Sequence, residues 1–127
     1  MSAKLPMIPR ALLGLIFVIF GLNGFLQFIP MPPLPDSAGA FLGALAATGY
    51  MFPLIKVTEI LCGLSFLTGK FSALGLVILA PISINILMFH AILTPGIANL
   101  VFPVIIIALH IAAAKEQWPK YQALLKF

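Results

Sequence analysis

Between Arg10 and Ala114 the sequence falls into four apolar runs, at about 10–29, 50–68, 71–91 and 97–114. Each is close to the ~20 residues that a helix needs to cross the hydrocarbon core of a bilayer. Of the 127 residues, 62% are hydrophobic and only 8% are charged. A soluble domain of this size cannot hide that much apolar surface, and the exposed remainder would drive aggregation. The expected fold is all-α: an integral membrane four-helix bundle, formed as a single four-span domain over residues 1–127. The first run, Ala11 to Ile29, follows Lys4 and Arg10, as a signal peptide would. It is too long for a signal h-region and ends in Pro-rich sequence without a small-x-small cleavage site, so it reads as a retained span.

The connections are equally informative. Pro30 to Asp36, PMPPLPD, holds four prolines in seven residues and is expected to be stiff and extended. Asp36 or Ser37 then reads as an N-cap, followed by a short helix at about 38–48 that stops at Gly49. That helix is too short to span, so it is expected at the interface or as a re-entrant lid between spans one and two. Gly69 and Lys70 make a tight turn, and Ile92 to Gly96 another. Pro53 falls in the first turn of span two, where proline is tolerated. Pro81 and Pro103 lie inside spans three and four, and Pro81 is expected to kink its helix. Lys115 to Phe127 is expected as a polar tail with Trp118 and Tyr121 as interfacial anchors.

Lys4 and Arg10 precede span one, Lys70 sits between spans two and three, and Lys115, Lys120 and Lys126 follow span four. The other two connections carry no Lys or Arg. The positive-inside rule then places both termini in the cytoplasm. The formal charge of +4 is spread over ends and turns, which fits orientation in a membrane and not nucleic-acid binding. The single cysteine, Cys62, excludes an internal disulfide.

Lys56 and Glu59 sit inside span two, Met51 to Thr68. An ionisable group in hydrocarbon is costly unless it is paired, hydrogen-bonded or facing a polar cavity. Other polar groups fall at a similar depth: Asn23 and Gln27 in the outer half of span one, Asn85 and His90 near the outer end of span three, and Asn99 at the start of span four. At ~100° per residue, Asn23 and Gln27 share one face, as do Lys56 and Glu59. Asn85 and His90 stand ~140° apart on an ideal helix and need a local distortion to face the same way. The seven residues Asn23, Gln27, Lys56, Glu59, Asn85, His90 and Asn99 are the candidate ligand pocket. Their amides suit a ligand carbonyl such as a quinone oxygen, and a histidine can pass protons near neutrality.

Plainer roles account for the same residues one by one. Lys56 and Glu59 can form a structural ion pair that sets helix register. The asparagines can be interhelical glue worth ~0.6 kcal/mol each. His90 can be a surface histidine, and His110 a packed neutral one. A heme between His90 and His110 is not expected, because the two lie roughly 20–25 Å apart in depth. No His/Cys/Asp spacing suggests a metal. The glycines Gly14, Gly21 and Gly24 leave span one a flat face for a neighbouring helix.

Three stretches in order, FGLNGFLQFIPMPPLP (Phe20 to Pro35), MFPLIKVTE (Met51 to Glu59) and APISINILMFH (Ala80 to His90), resemble the DoxX family of small four-helix bacterial membrane proteins. The resemblance implies a place in the bacterial inner membrane, with Lys56, Glu59, Asn85 and His90 at the family's motif positions. It also implies a redox-associated subunit that binds a quinone or similar amphipathic ligand and meets the bilayer, a redox-complex subunit or a second copy of itself. The other expectation, from the family's animal relatives, is a membrane-protein assembly factor or chaperone-like scaffold. In that reading Lys56 and Glu59 are structural, and a partner docks on the glycine face of span one. A transporter is disfavoured, since the chain has no internal repeat and no polar lining in its inner half.

Overall fold

The computed structural model describes residues 7–29 and 33–126. Lys4, most of the expected N-terminal tail, Pro30 to Pro32 of the extended connection, and Phe127 lie outside the described residues. The described chain is helical, in the order α1 (Met7–Leu26), α2 (Asp36–Ala47), α3 (Met51–Thr68), α4 (Ser72–Met88), a π turn (Phe89–Leu93), a 3-10 turn (Ile97–Leu100), α5 (Val101–Glu116) and α6 (Trp118–Leu125). Four of these segments are long and apolar enough to cross a membrane: Ile8–Leu26, Met51–Thr68, Ser72–Leu93 and Ile97–Glu116.

The four long helices form a closed ring in which α1 packs on α3, α3 on α4, α4 on α5, and α5 back on α1. Phe20 of α1 meets Phe102 of α5 with ring centroids 5.2 Å apart, closing the ring. The core is built from two or so residues per helix: Leu13 and Phe17, Cys62 and Phe66, Leu76 and Leu79, Ile106 and Ala113. The outer surface is apolar too, with Leu15, Leu61, Val77 and Ile111 each about half exposed or more. The buried set includes Glu59, Ser72, Ser83 and His110. Large apolar groups outside and polar groups inside is the arrangement that lipid favours, because hydrocarbon solvates the former and not the latter.

The α1–α3 contact is the closest. A Cβ on Gly14 would stand 2.7 Å from the Gly63 carbonyl oxygen, and one on Gly63 would stand 2.8 Å from that of Gly14. Two helix backbones can touch in this way only where neither residue has a side chain. The flat face expected of span one is therefore real, but α3 of the same chain fills it. The face offered to a docking partner in the scaffold reading is not available at Gly14 or Gly21.

Several boundaries differ from the sequence reading. Helix α1 starts at Met7, with Pro9 in its first turn, instead of at residue 10, and it ends at Leu26. The N-cap of α2 is Pro35, in an extended conformation, and not Asp36 or Ser37. Asp36 is instead the first helical residue, where its carboxylate meets the positive end of the helix dipole. Thr48 joins α2 to α3: its Oγ1 donates to the Leu45 carbonyl and accepts from the Met51 N–H. The expected polar tail includes a helix, α6. Tyr121 fastens it by donating from Oη to the Ala73 carbonyl, 2.9 Å away, at the start of α4.

Candidate functional site

Lys56 and Glu59 lie one turn apart on α3, and Lys56 Nζ donates to Glu59 Oε1 at 3.1 Å. Glu59 is 3% exposed, so its carboxylate is inside the bundle. The Lys56 stem runs across the last turn of α1: a Cβ on Gly24 would come within 3 Å of three Lys56 side-chain carbons. Gly24 thus makes the channel through which Lys56 reaches its partner. The ion pair is local to one helix, while its aliphatic part is interhelical packing.

Of the remaining five candidates, four turn to nearby backbone. Asn23 Oδ1 accepts from the Ile29 N–H at 2.7 Å, closing the chain after α1. Gln27 sits in the left-handed region at φ 51 and is exposed. Asn85 Nδ2 donates to the Pro81 carbonyl at 2.9 Å. His90 Nδ1 donates to the Ile86 carbonyl at 2.8 Å, and Asn99 Nδ2 to the Thr94 carbonyl at 3.0 Å. Among the described residues, the Lys56–Glu59 pair is the one side-chain hydrogen bond that joins two members of the set; Asn23 and Gln27 are joined through backbone alone, Gln27 N–H to the Asn23 carbonyl at 2.8 Å.

The distortion needed near His90 is present as the π turn Phe89–Leu93, in which Thr94 N–H reaches back five residues to the Phe89 carbonyl. It sets the His90 ring 5.2 Å from Phe89 and leaves Nδ1 on its own helix. The π turn and the end of α4 also form a groove with α2. Phe41 of α2 faces Phe89 with centroids 5.9 Å apart. The groove has a volume of about 210 Å³ and is lined by Phe41, Asn85, Met88, Phe89, Ile92 and Leu93. Of the seven candidates, Asn85 alone lines it. One Nδ2 proton of Asn85 goes to Pro81, and the other remains available to a ligand acceptor.

A second polar centre lies deeper, and the sequence reading had only half of it. His110 of α5 is buried, as expected, and both its nitrogens are used. Nε2 donates to the Leu76 carbonyl at 3.0 Å, and Nδ1 lies 3.0 Å from Ser83 Oγ. A carbonyl can only accept, so Nε2 carries the proton; in the neutral ring Nδ1 accepts from the Ser83 hydroxyl. Ser83 is 1% exposed, which leaves no room for a substrate beside it. The centre ties α4 to α5.

Compared with protein-family models, with curated proteins and with solved structures, the chain matches none.

Proposed function

We propose that this chain is a multi-pass protein of the bacterial inner membrane, with both termini cytoplasmic, that binds a small amphipathic carbonyl ligand such as a quinone as part of a membrane redox system. The observation that carries this reading is the groove between α2 and the end of α4. It is apolar and aromatic, with Phe41 and Phe89 on its walls and one amide, Asn85, inside it. Its ~210 Å³ is less than the ~300–1,000 Å³ of a site that encloses a whole drug-sized ligand. It suits one ring, with an isoprenoid tail lying along the lipid-facing surface. Helix α2 is then the lid of the site. The spare Asn85 proton meets a ring carbonyl, and Lys56 and Glu59 supply a part-buried ion pair in the same half of the bundle. The resemblance of Phe20 to Pro35, Met51 to Glu59 and Ala80 to His90 to the DoxX family supports the redox setting.

The test is to purify the chain in mild detergent and measure quinone in its lipid extract. The expected result is about one quinone per chain, lost in Asn85→Leu and reduced in Glu59→Gln, with the helical content of both variants unchanged. A folded protein that retains no quinone overturns the proposal. One observation favours a second reading, an assembly scaffold: the Lys56 stem is packed into the Gly24 gap, so the ion pair has a structural use of its own. In that case Glu59→Gln lowers stability and membrane proteins co-purify in place of quinone.

A further inference from the structure

The start of α1 and helix α6 share one end of the bundle, because both lie on the α3–α4 turn. The Arg10 guanidinium rests on Gly69, whose Cβ would stand 3.1–3.3 Å from Nη1, Nη2 and Cζ. Tyr121 reaches Ala73 four residues further on. Arg10, Lys70 and Lys120 therefore belong to the same end of the bundle, with Lys115 and Lys126 on the flanking segments. Glu116 is the one acid among the described residues at this end, since Asp36 and Glu59 belong to the other half. Arg10 Nε is buried and has no hydrogen-bond partner among the described residues. Nε cannot be reached from outside, but the side chain as a whole is only part-buried, and its two Nη groups can meet two oxygens of a phosphate.

The surroundings decide what carries that phosphate. Phe71 is 78% exposed, on a residue held in the left-handed region at φ 61, and Trp118 is 50% exposed. Leu124 and Leu125 are exposed on α6 as well. Aromatic and aliphatic side chains flank the basic cluster at the level where headgroups meet acyl chains. A free phosphate has no use for that rim, whereas a phospholipid uses both parts.

We infer that this end of the bundle is a binding site for an anionic phospholipid, with Arg10 as the phosphate seat and Lys70 and Lys120 beside it. The inference does not rest on the quinone reading, since it concerns the opposite end of the helices.

Native mass spectrometry of the full chain in mild detergent, titrated with phosphatidylglycerol or phosphatidylcholine, tests it. Phosphatidylglycerol is expected to be retained in preference. Arg10→Gln is expected to weaken retention about fivefold, the effect of one basic contact at an anionic surface. Should Arg10→Gln fail to fold, as circular dichroism would reveal, the exposed pair Lys70→Gln/Lys120→Gln carries the test with the same expected loss. Equal retention of the two lipids by the unmodified chain overturns the inference. So does undiminished phosphatidylglycerol binding in the folded variants, or displacement of the lipid by an equal concentration of inorganic phosphate.

Discussion

Helices α1 and α3 meet backbone to backbone, whereas α4 and α5 meet through side chains. The first pair is built from absences: Gly14 lies on Gly63, and Gly24 clears a path for Lys56. The second pair is joined by His110, which spans from Leu76 to Ser83, about two turns of α4. In lipid no hydrophobic effect draws helices together, so contact must come from close van der Waals packing or from hydrogen bonds. This bundle uses one device on each side. Packing by absence tolerates no added atom, while a hydrogen-bonded bridge tolerates loss at a modest cost. The two sides should therefore respond differently to substitution.

The largest effect is expected at Gly63. In Gly63→Leu the new Cβ meets the Gly14 carbonyl oxygen and the Val18 N at 2.8 and 3.0 Å, and backbone cannot rotate aside as a side chain can. The expected cost is about 3 kcal/mol, the upper part of the usual range for overpacking. Reversible unfolding in mixed micelles measures it. Gly43→Leu is the matched control: nothing lies within 4 Å of its Cβ position, so stability should hardly change. Equal effects at the two glycines would remove the distinction between the α1–α3 contact and an ordinary helix surface.

The bridge comes next. His110→Leu removes two hydrogen bonds and leaves the Ser83 hydroxyl and the Leu76 carbonyl to find other partners, at an expected cost of about 2 kcal/mol. Ser83→Ala should cost less, because Nε2 keeps its bond to Leu76. The double-mutant cycle between Ser83 and His110 should give a coupling of about 0.6 kcal/mol, and no more than ~1.7 kcal/mol. A coupling of zero would mean that the Ser83–His110 bond adds nothing and that His110 joins α4 to α5 through the Leu76 carbonyl alone.

The same contrast explains what could be read from the sequence. The four spans are legible because the apolar runs are long and the connections carry Gly, Pro or charge. The glycine face of α1 is legible because three small residues share a helix face. The Lys56–Glu59 pair follows from a spacing of three on one helix. The Ser83–His110 bond was not legible: 27 residues separate its ends, and one serine among apolar residues carries no mark of its partner. The sequence puts Asn23, Asn85, His90 and Asn99 at a similar depth, but their side chains go to local backbone. An Asn or His on a helix reaches the carbonyl one turn back, and beyond a helix end a backbone N–H or carbonyl takes the nearest amide. Helix α6 escaped because its anchor, Tyr121 on Ala73, is a tertiary contact on a segment of mixed polarity.

The smallest effect is expected where α6 meets the bundle. Tyr121→Phe removes the single bond to the Ala73 carbonyl and keeps the ring, so the expected loss is about 1 kcal/mol. The contact also has a pH signature. Burial pushes the Tyr121 phenol above its ordinary value of 10.0, so the folded state favours the neutral form that donates the bond. Stability from this group is then fully present below pH 10.0 and is lost as pH rises through the raised value. The advantage of the unmodified chain over Tyr121→Phe should be constant from neutrality to that point and shrink beyond it. Hydrogen exchange of α6 amides reads the difference locally, where micelle unfolding of the whole bundle would hide it. Equal exchange in the two proteins at neutral pH would show that α6 is held by the bilayer boundary and not by α4, and would make the side-chain bridges a property of the α4–α5 pair alone.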